Sequence, residues 1–188
     1  MEAAATAGVE PVELLVAGET VEPDLLAEVS TLGHAPRVVG VYRASDLPAG
    51  TRDVVLALWR VADPGNVGTL LRTADAFGAA IALSPECADP LGPRALRASA
   101  GAIFRVPLVP WDAVPERGIA LVAHGGTRLE DVPLDPPATL YLGSEREGLP
   151  ESLVTRCHEA TIPLPGDAES LNVAAAGAIA LYELARRA

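Results

Sequence analysis

The chain has 188 residues, 49% of them apolar and 21% charged, with a formal net charge of −11; that is enough chain to bury a sizeable core and too apolar for disorder. The acidic balance counts against a simple nucleic-acid binder, which carries a basic face, and all 14 cationic residues are arginines, so each cationic contact is a planar guanidinium fork. No apolar run reaches the roughly 18 residues of a membrane span, and the N-terminus lacks a charged-then-apolar signal pattern. The expectation is a cytoplasmic protein with no membrane partner. Cys87 and Cys157 stand apart without CxxC or metal spacing, which reads as two buried thiols with neither a disulfide nor a metal.

In chain order, residues 1–45 read as strand, helix, strand. "VELLV" and "RVVGVY" are β-branched runs, and Leu25, Leu26 and Val29 form an apolar helical face between them. Residues 46–52, within "RASDLPAGTRD", read as a linker broken by Pro and Gly. Residues 53–188 then repeat a βα pattern. "VVLALW" is a buried strand, "NVGTLLRTADAFG" a helix and "AAIAL" a strand. "RALRASAGAIF" reads as helical, while "RVPLV", "GIALVAH" and "ATLYLG" are strands. "PESLVTRC" is a short helix, "EATIPL" a strand, and an apolar helix closes the chain. Continuous apolar strands alternating with helices predict an α/β fold with a mostly parallel sheet covered on both faces.

The familiar nucleotide loops GxxxxGK[ST] and GxGxxG are absent. "AHGGT" at 123–127 has no accompanying GxSxG, so it reads as a glycine turn after a strand rather than an oxyanion loop. Three stretches at strand ends carry the candidate chemistry, because ligands of open α/β sheets sit there. In "DPGNVGTLLRTADAFG", Asn66 can cap the helix and Gly78 suits its end, while Val67, Leu70, Leu71, Ala74 and Phe77 form the core stripe. Arg72 falls on the opposite side, where packing does not demand it; a solvated arginine near Asp75 is the plain alternative. In "LYLGSEREGLP", a buried strand runs into Gly143, Glu145, Glu147 and Gly148, and the glycines let backbone amides approach a ligand closely. In "TIPLPGDAESLNVAAAG", Ser170 and Asn172 stand before a helix that stays apolar on every side until Glu183. Capping explains one of those two polar residues; the pair suggests a lined pocket. Such a helix should be buried all round.

Taken in order, these stretches resemble the three motifs of the SpoU (TrmH-like) family of RNA 2′-O-ribose methyltransferases, within the SPOUT superfamily. "RALRASAGAIFRVPLV" between the first two also looks like that family, and the likeness covers residues 53–188. The resemblance implies a C-terminal trefoil knot, a homodimer built across the last helix, and S-adenosylmethionine held by the knotted loops. Leu142, Gly143, Glu145 and Gly148 would form one wall of that pocket, Ile162, Leu164, Leu171 and Asn172 another, with His124 and Gly125 at the border. It implies that Arg72 activates a ribose 2′-hydroxyl of ribosomal or transfer RNA. A guanidinium with pKa above 12 is a poor proton acceptor, so Arg72 is better suited to stabilise a developing alkoxide and hold a phosphate. Asn66, Glu145, Ser170 and Asn172 would orient Arg72, the ribose and the cofactor. Residues 1–45 resemble only the later half of the substrate-binding domain carried by many members. Two other readings stay open: a non-catalytic RNA-binding or ribosome-assembly protein on this fold, and a methyltransferase for a non-RNA acceptor.

Overall fold

A computed structural model of the protein describes residues 1–30, 35–133 and 135–187. The chain divides into two compact units, Met1–Leu47 and Pro48–Ala188. In the first unit, α1 (Glu2–Thr6) precedes β1 (Glu13–Val16), α2 (Pro23–Val29) and β2 (Val38–Val41). The two strands pair antiparallel, Glu13 opposite Val41 and Val16 opposite Val38. The apolar face expected for α2 shrinks to one residue: Leu26 is buried, whereas Leu25 and Val29 are 53% and 70% exposed. A seven-residue helix beside a two-stranded ribbon has no surface broad enough to cover all three.

The second unit is built on seven strands: β3 (Val54–Leu58), β4 (Ala80–Leu83), β5 (Leu108–Val109), β6 (Ile119–Leu121), β7 (Thr127–Arg128), β8 (Ala138–Leu142) and β9 (His158–Thr161). They lie in the order β5-β4-β3-β8-β6-β9-β7, and every pairing is parallel. Its helices are α3 (Pro64–Ala76), α4 (Pro93–Ser99), α5 (Glu151–Val154) and α6 (Val173–Arg187). Residues 55 and 57 of β3 face one side of the sheet and Leu56 the other, the period-2 alternation of a strand buried on both faces. Val55, Ala57, Ala80, Ala82 and Tyr141 pack with Leu153 of α5 and with Trp111. On the other side, Leu56, Leu70 and Leu142 converge on Gly177 of α6, where a Cβ would lie 2.5 Å from Leu70 Cδ2. That glycine lets α6 approach α3 and the sheet.

Two helical expectations change. The run 94–104 is not continuous: Ala100 (φ 49°) and Gly101 (φ 83°) are left-handed and end α4 before a separate 3₁₀ turn, Ala102–Phe104. The terminal helix is buried on one face only. Val173, Ala174, Gly177, Ala180, Leu181 and Leu184 are inside, whereas Ile179 and Tyr182 are 40% and 57% exposed. Two strand residues unforeseen from sequence, Thr127 and Arg128, add β7 at the sheet edge. They follow the glycine turn at Gly125 and Gly126, both with positive φ. Among the described residues, no helix is long and apolar enough to cross a membrane.

Candidate functional site

The loops leaving the C-terminal ends of β6, β8 and β9 converge where open parallel sheets bind ligands. They enclose a cavity of about 660 Å³, lined by Leu121, Val122, Leu142, the loop Gly143–Leu149, Ile162, Leu164, Ser170, Leu171, Asn172, Val173 and Ala176. The walls are mostly aliphatic or glycine, with Ser144, Glu145, Arg146, Glu147, Ser170 and Asn172 as polar points, and the volume suits one small organic ligand. A second cavity of about 310 Å³ shares Ile162 and Leu164 and is bordered by His124 and Gly125.

The Gly143–Leu149 loop is tight. Ser144 and Gly148 exchange two backbone hydrogen bonds, each 3.1 Å, and Ser144 Oγ accepts from the Glu147 amide at 3.1 Å. A Cβ on Gly143 would stand 2.2 Å from the Gly148 carbonyl carbon, so only glycine permits this closure, while Gly148 takes a left-handed φ of 68°. The closed loop presents Glu145 toward the start of α3.

That helix is capped by Asp63, whose Oδ1 accepts the Asn66 amide at 2.9 Å, with Pro64 in the first turn. Asn66 is therefore not the cap expected from sequence, and its side chain is free for other work. Asn66 Nδ2 donates to Glu145 Oε1 at 2.8 Å. Asn172 Nδ2 donates to Asn66 Oδ1 at 3.0 Å. Asn172 Oδ1 in turn accepts the amides of Ala174 (2.9 Å) and Ala175 (3.3 Å) at the N-terminus of α6. Helix amides donate to one asparagine, that asparagine to the next, and the second to a carboxylate. With donors only at one end and acceptors only at the other, each amide has one orientation that satisfies its neighbours. Glu145 also accepts from the Ala62 and Asp63 amides at 3.3 and 3.4 Å. Burial works to raise its pKa, but the Asn66 bond and the backbone amides outweigh that and hold the carboxyl below its ordinary value. The site therefore keeps a carboxylate in place at neutral pH.

The structure thus joins Asn66, Glu145 and Asn172, and it places Leu142, Gly143, Gly148, Ile162, Leu164, Ser170 and Leu171 on the walls. His124 and Gly125 border the smaller cavity instead. Ser170 makes no side-chain hydrogen bond with a described residue. Arg72 is exposed on α3, outside the cavity lining, and forms no ion pair or side-chain hydrogen bond with a described residue. Nor does it neighbour a free Asp75, which Arg105 grips through Nη2 (2.7 Å) and Nε (3.0 Å). Sequence reasoning missed Leu121 and Val122, although their place at the end of a buried strand was a usable signal. It also missed Ser144, whose bridge to Gly148 no local pattern announces. Burial pushes the Cys157 thiol up, which keeps it protonated at neutral pH. Among the described residues, no three His, Cys, Asp or Glu side chains are grouped to hold a metal ion.

Comparison with known proteins finds likeness over most of the chain. The sequence profile of the SpoU rRNA Methylase family matches residues 53–182. An uncharacterized tRNA/rRNA methyltransferase from Synechocystis is 36% identical over 144 residues, covering 70% of this chain and 53% of its own length. The 23S rRNA (uridine(2479)-2′-O)-methyltransferase of Streptomyces viridochromogenes is 32% identical over 194 residues, covering 88% of this chain and 66% of its own. The chain thus spans about half to two thirds of the length of these relatives. A SpoU methyltransferase of Streptomyces viridochromogenes, crystallised with AdoMet, superposes with a TM-score of 0.80 at 27% identity, over 99% of this chain and 86% of that one.

Proposed function

The chain belongs to the SpoU rRNA Methylase family, and we propose that it transfers a methyl group from S-adenosylmethionine to a ribose 2′-hydroxyl of ribosomal or transfer RNA. The observation that carries the reading is the hydrogen-bonded series Asn172–Asn66–Glu145, which ties three separate stretches of sequence together beside one cavity. The cavity fits the cofactor's chemistry: aliphatic walls from Leu142, Ile162, Leu164 and Leu171 suit an adenine ring, and Ser170, Asn172 and Glu145 suit its polar and cationic parts. When bound, S-adenosylmethionine supplies an electrophilic methyl group on a sulfonium.

The protein's own residues have separable tasks. Gly143 and Gly148 close the loop that brings Glu145 to the rim. Asn172 fixes the orientation of the Asn66 amide, which with the Ala62 and Asp63 amides holds Glu145, so the acceptor hydroxyl meets preset donors and acceptors. The Arg72 guanidinium stabilises the negative charge that develops on the ribose oxygen or its phosphate. Ser170 orients polar groups at the mouth.

We further infer a homodimer through the exposed face of α6, where Ile179 and Tyr182 lie less than one turn apart, and a cytoplasmic location. The C-terminal knot belongs to the same reading. In its support, Arg187 near the end of α6 donates to the carbonyls of Leu129 and Val132, in the segment joining β7 to β8. Residues 1–45 would be part of a substrate-binding segment and 46–52 its linker. The test is tritiated methyl incorporation into unmodified ribosomal and transfer RNA, followed by mapping of 2′-O-methyl positions. It is paired with a thermal scan in which cofactor at 100 times its Kd adds about 2.7 kcal/mol of stability. Absence of both methyl transfer and any thermal shift would overturn the reading.

A further inference from the structure

Arg60, Glu86 and Ala100 are the non-glycine residues with left-handed backbones among those described, at φ 51°, 71° and 49°. Ala100 terminates a helix, which accounts for it. The other two are each other's partners: Arg60 Nη2 lies 2.5 Å from Glu86 Oε2, and Arg60 Nη1 lies 3.5 Å from Glu147 Oε2. Their side chains are 40%, 66% and 76% exposed. Exposed ion pairs contribute too little to impose two unfavourable backbone conformations. The backbone at Arg60 is held by other means, since its amide donates to Ser84 Oγ at 2.9 Å and the Trp59 amide to the Leu142 carbonyl at 2.8 Å. The chain therefore turns at the end of β3 in a way that sets this guanidinium on the rim, two residues before the amides that grip Glu145. Its second carboxylate partner, Glu147, lies on the cavity loop itself.

We propose that Arg60 is a positioning residue for the RNA backbone: a guanidinium stored between Glu86 and Glu147 that transfers to a phosphate beside the target nucleotide. The proposal rests on the RNA methyl-transfer reading above. A polyanion approaching a chain of net charge −11 needs a local cation, and the Arg fork matches phosphate oxygens in two-pronged fashion. The Glu147 contact is long and the Glu86 contact solvent-exposed, so both yield to a well-placed phosphate. The two carboxylates hold the fork in position and oppose RNA that docks without offering one there.

The test uses Arg60→Gly, because glycine accepts the left-handed turn and so keeps the fold. Filter binding of an unmodified 23S ribosomal RNA transcript is measured between about 50 and 200 mM salt. The variant is expected to bind about tenfold more weakly at low salt. The slope of log K against log[salt] should shrink by about 0.7 to 0.9, the loss of one phosphate contact, with S-adenosylmethionine affinity unchanged. The double variant Glu86→Gln, Glu147→Gln frees the arginine and should bind the transcript more tightly. Unchanged affinity and slope for Arg60→Gly would overturn the proposal while leaving the methyl-transfer reading intact. Weaker RNA and cofactor binding by the glutamine variant would overturn it in favour of a simple latch on the loop. Failure of the unmutated protein to bind this transcript and unmodified transfer RNA alike would remove the RNA reading, and Arg60's role with it.

Discussion

Replacing Gly143 with alanine puts the cavity wall to a direct test. The added Cβ would stand 2.2 Å from the Gly148 carbonyl carbon and 2.4 Å from the Leu149 amide nitrogen. Both are backbone atoms, so no side-chain rotation relieves the overlap. The loop must open, and the two Ser144–Gly148 hydrogen bonds of 3.1 Å are lost. At about 1 kcal/mol each they amount to about 2 kcal/mol, and residual overpacking adds about 1 kcal/mol. A total of about 3 kcal/mol corresponds to a fall in melting temperature of roughly 6 to 12 °C for a chain of this size. Because the same bonds direct Glu145 to Asn66, stabilisation by S-adenosylmethionine should vanish as well. Gly148→Ala is the control: its Cβ meets nothing within 4 Å, so only the left-handed backbone is penalised, by about 1 to 2 kcal/mol. That variant should melt a few degrees lower yet still respond to the cofactor. The assay is a thermal scan by circular dichroism with and without millimolar S-adenosylmethionine. A Gly143→Ala protein that melts like the unmutated chain and is equally stabilised by cofactor would refute the reasoning.

Four further outcomes are expected. Asn66→Asp should impair methyl transfer more than Asn66→Ala, because it faces Glu145 with a second carboxylate at hydrogen-bond distance; the gap should narrow as pH falls and the pair comes to share a proton. Arg72→Ala should change stability by under about 1 kcal/mol yet abolish methyl transfer, and Arg72→Lys should be nearly as inactive because it lacks the planar fork; normal turnover by the alanine variant would sink Arg72's assignment. Ile179→Arg with Tyr182→Arg should yield a 19.4 kDa monomer in light scattering with the fold retained, whereas Leu181→Asp, at a position 1% exposed, should unfold the chain. Hydrogen bonds from Arg186 and then Arg187 hold Glu183 at about 2, a depressed value, so its contribution is complete above the ordinary carboxylate range and is lost as pH falls toward 2; Glu183→Gln should flatten that limb of a urea-midpoint profile between pH 5 and 2.

The sequence alone determined most strands and helices of the second unit, β7 and the break after α4 excepted, because continuous apolar runs and the 3.6-residue stripe of α3 are local patterns. The likeness of three stretches to the family's motifs also pointed to Leu142, Gly143, Ile162, Leu164 and Leu171, which line the cavity; the glycine and proline turns near them are visible in the chain itself. Only the tertiary structure decided which polar residue does what. Asp63 and Asn66 are both competent caps by composition; the helix starts at Pro64, so Asp63 caps it and accepts the Asn66 amide, while the Asn66 side chain pairs with Glu145, 79 residues away, and with Asn172, 106 residues away. Asp75 is likewise taken by Arg105 from across the fold rather than by Arg72, three positions from it on the same helix. The helix α6 is apolar all round in sequence, yet one face stays open in the chain, since α3 and the sheet can cover only the side that Gly177 brings close. Local propensity settles an element's type within a few residues; a side chain's role depends on partners that only the folded topology brings within 3 Å.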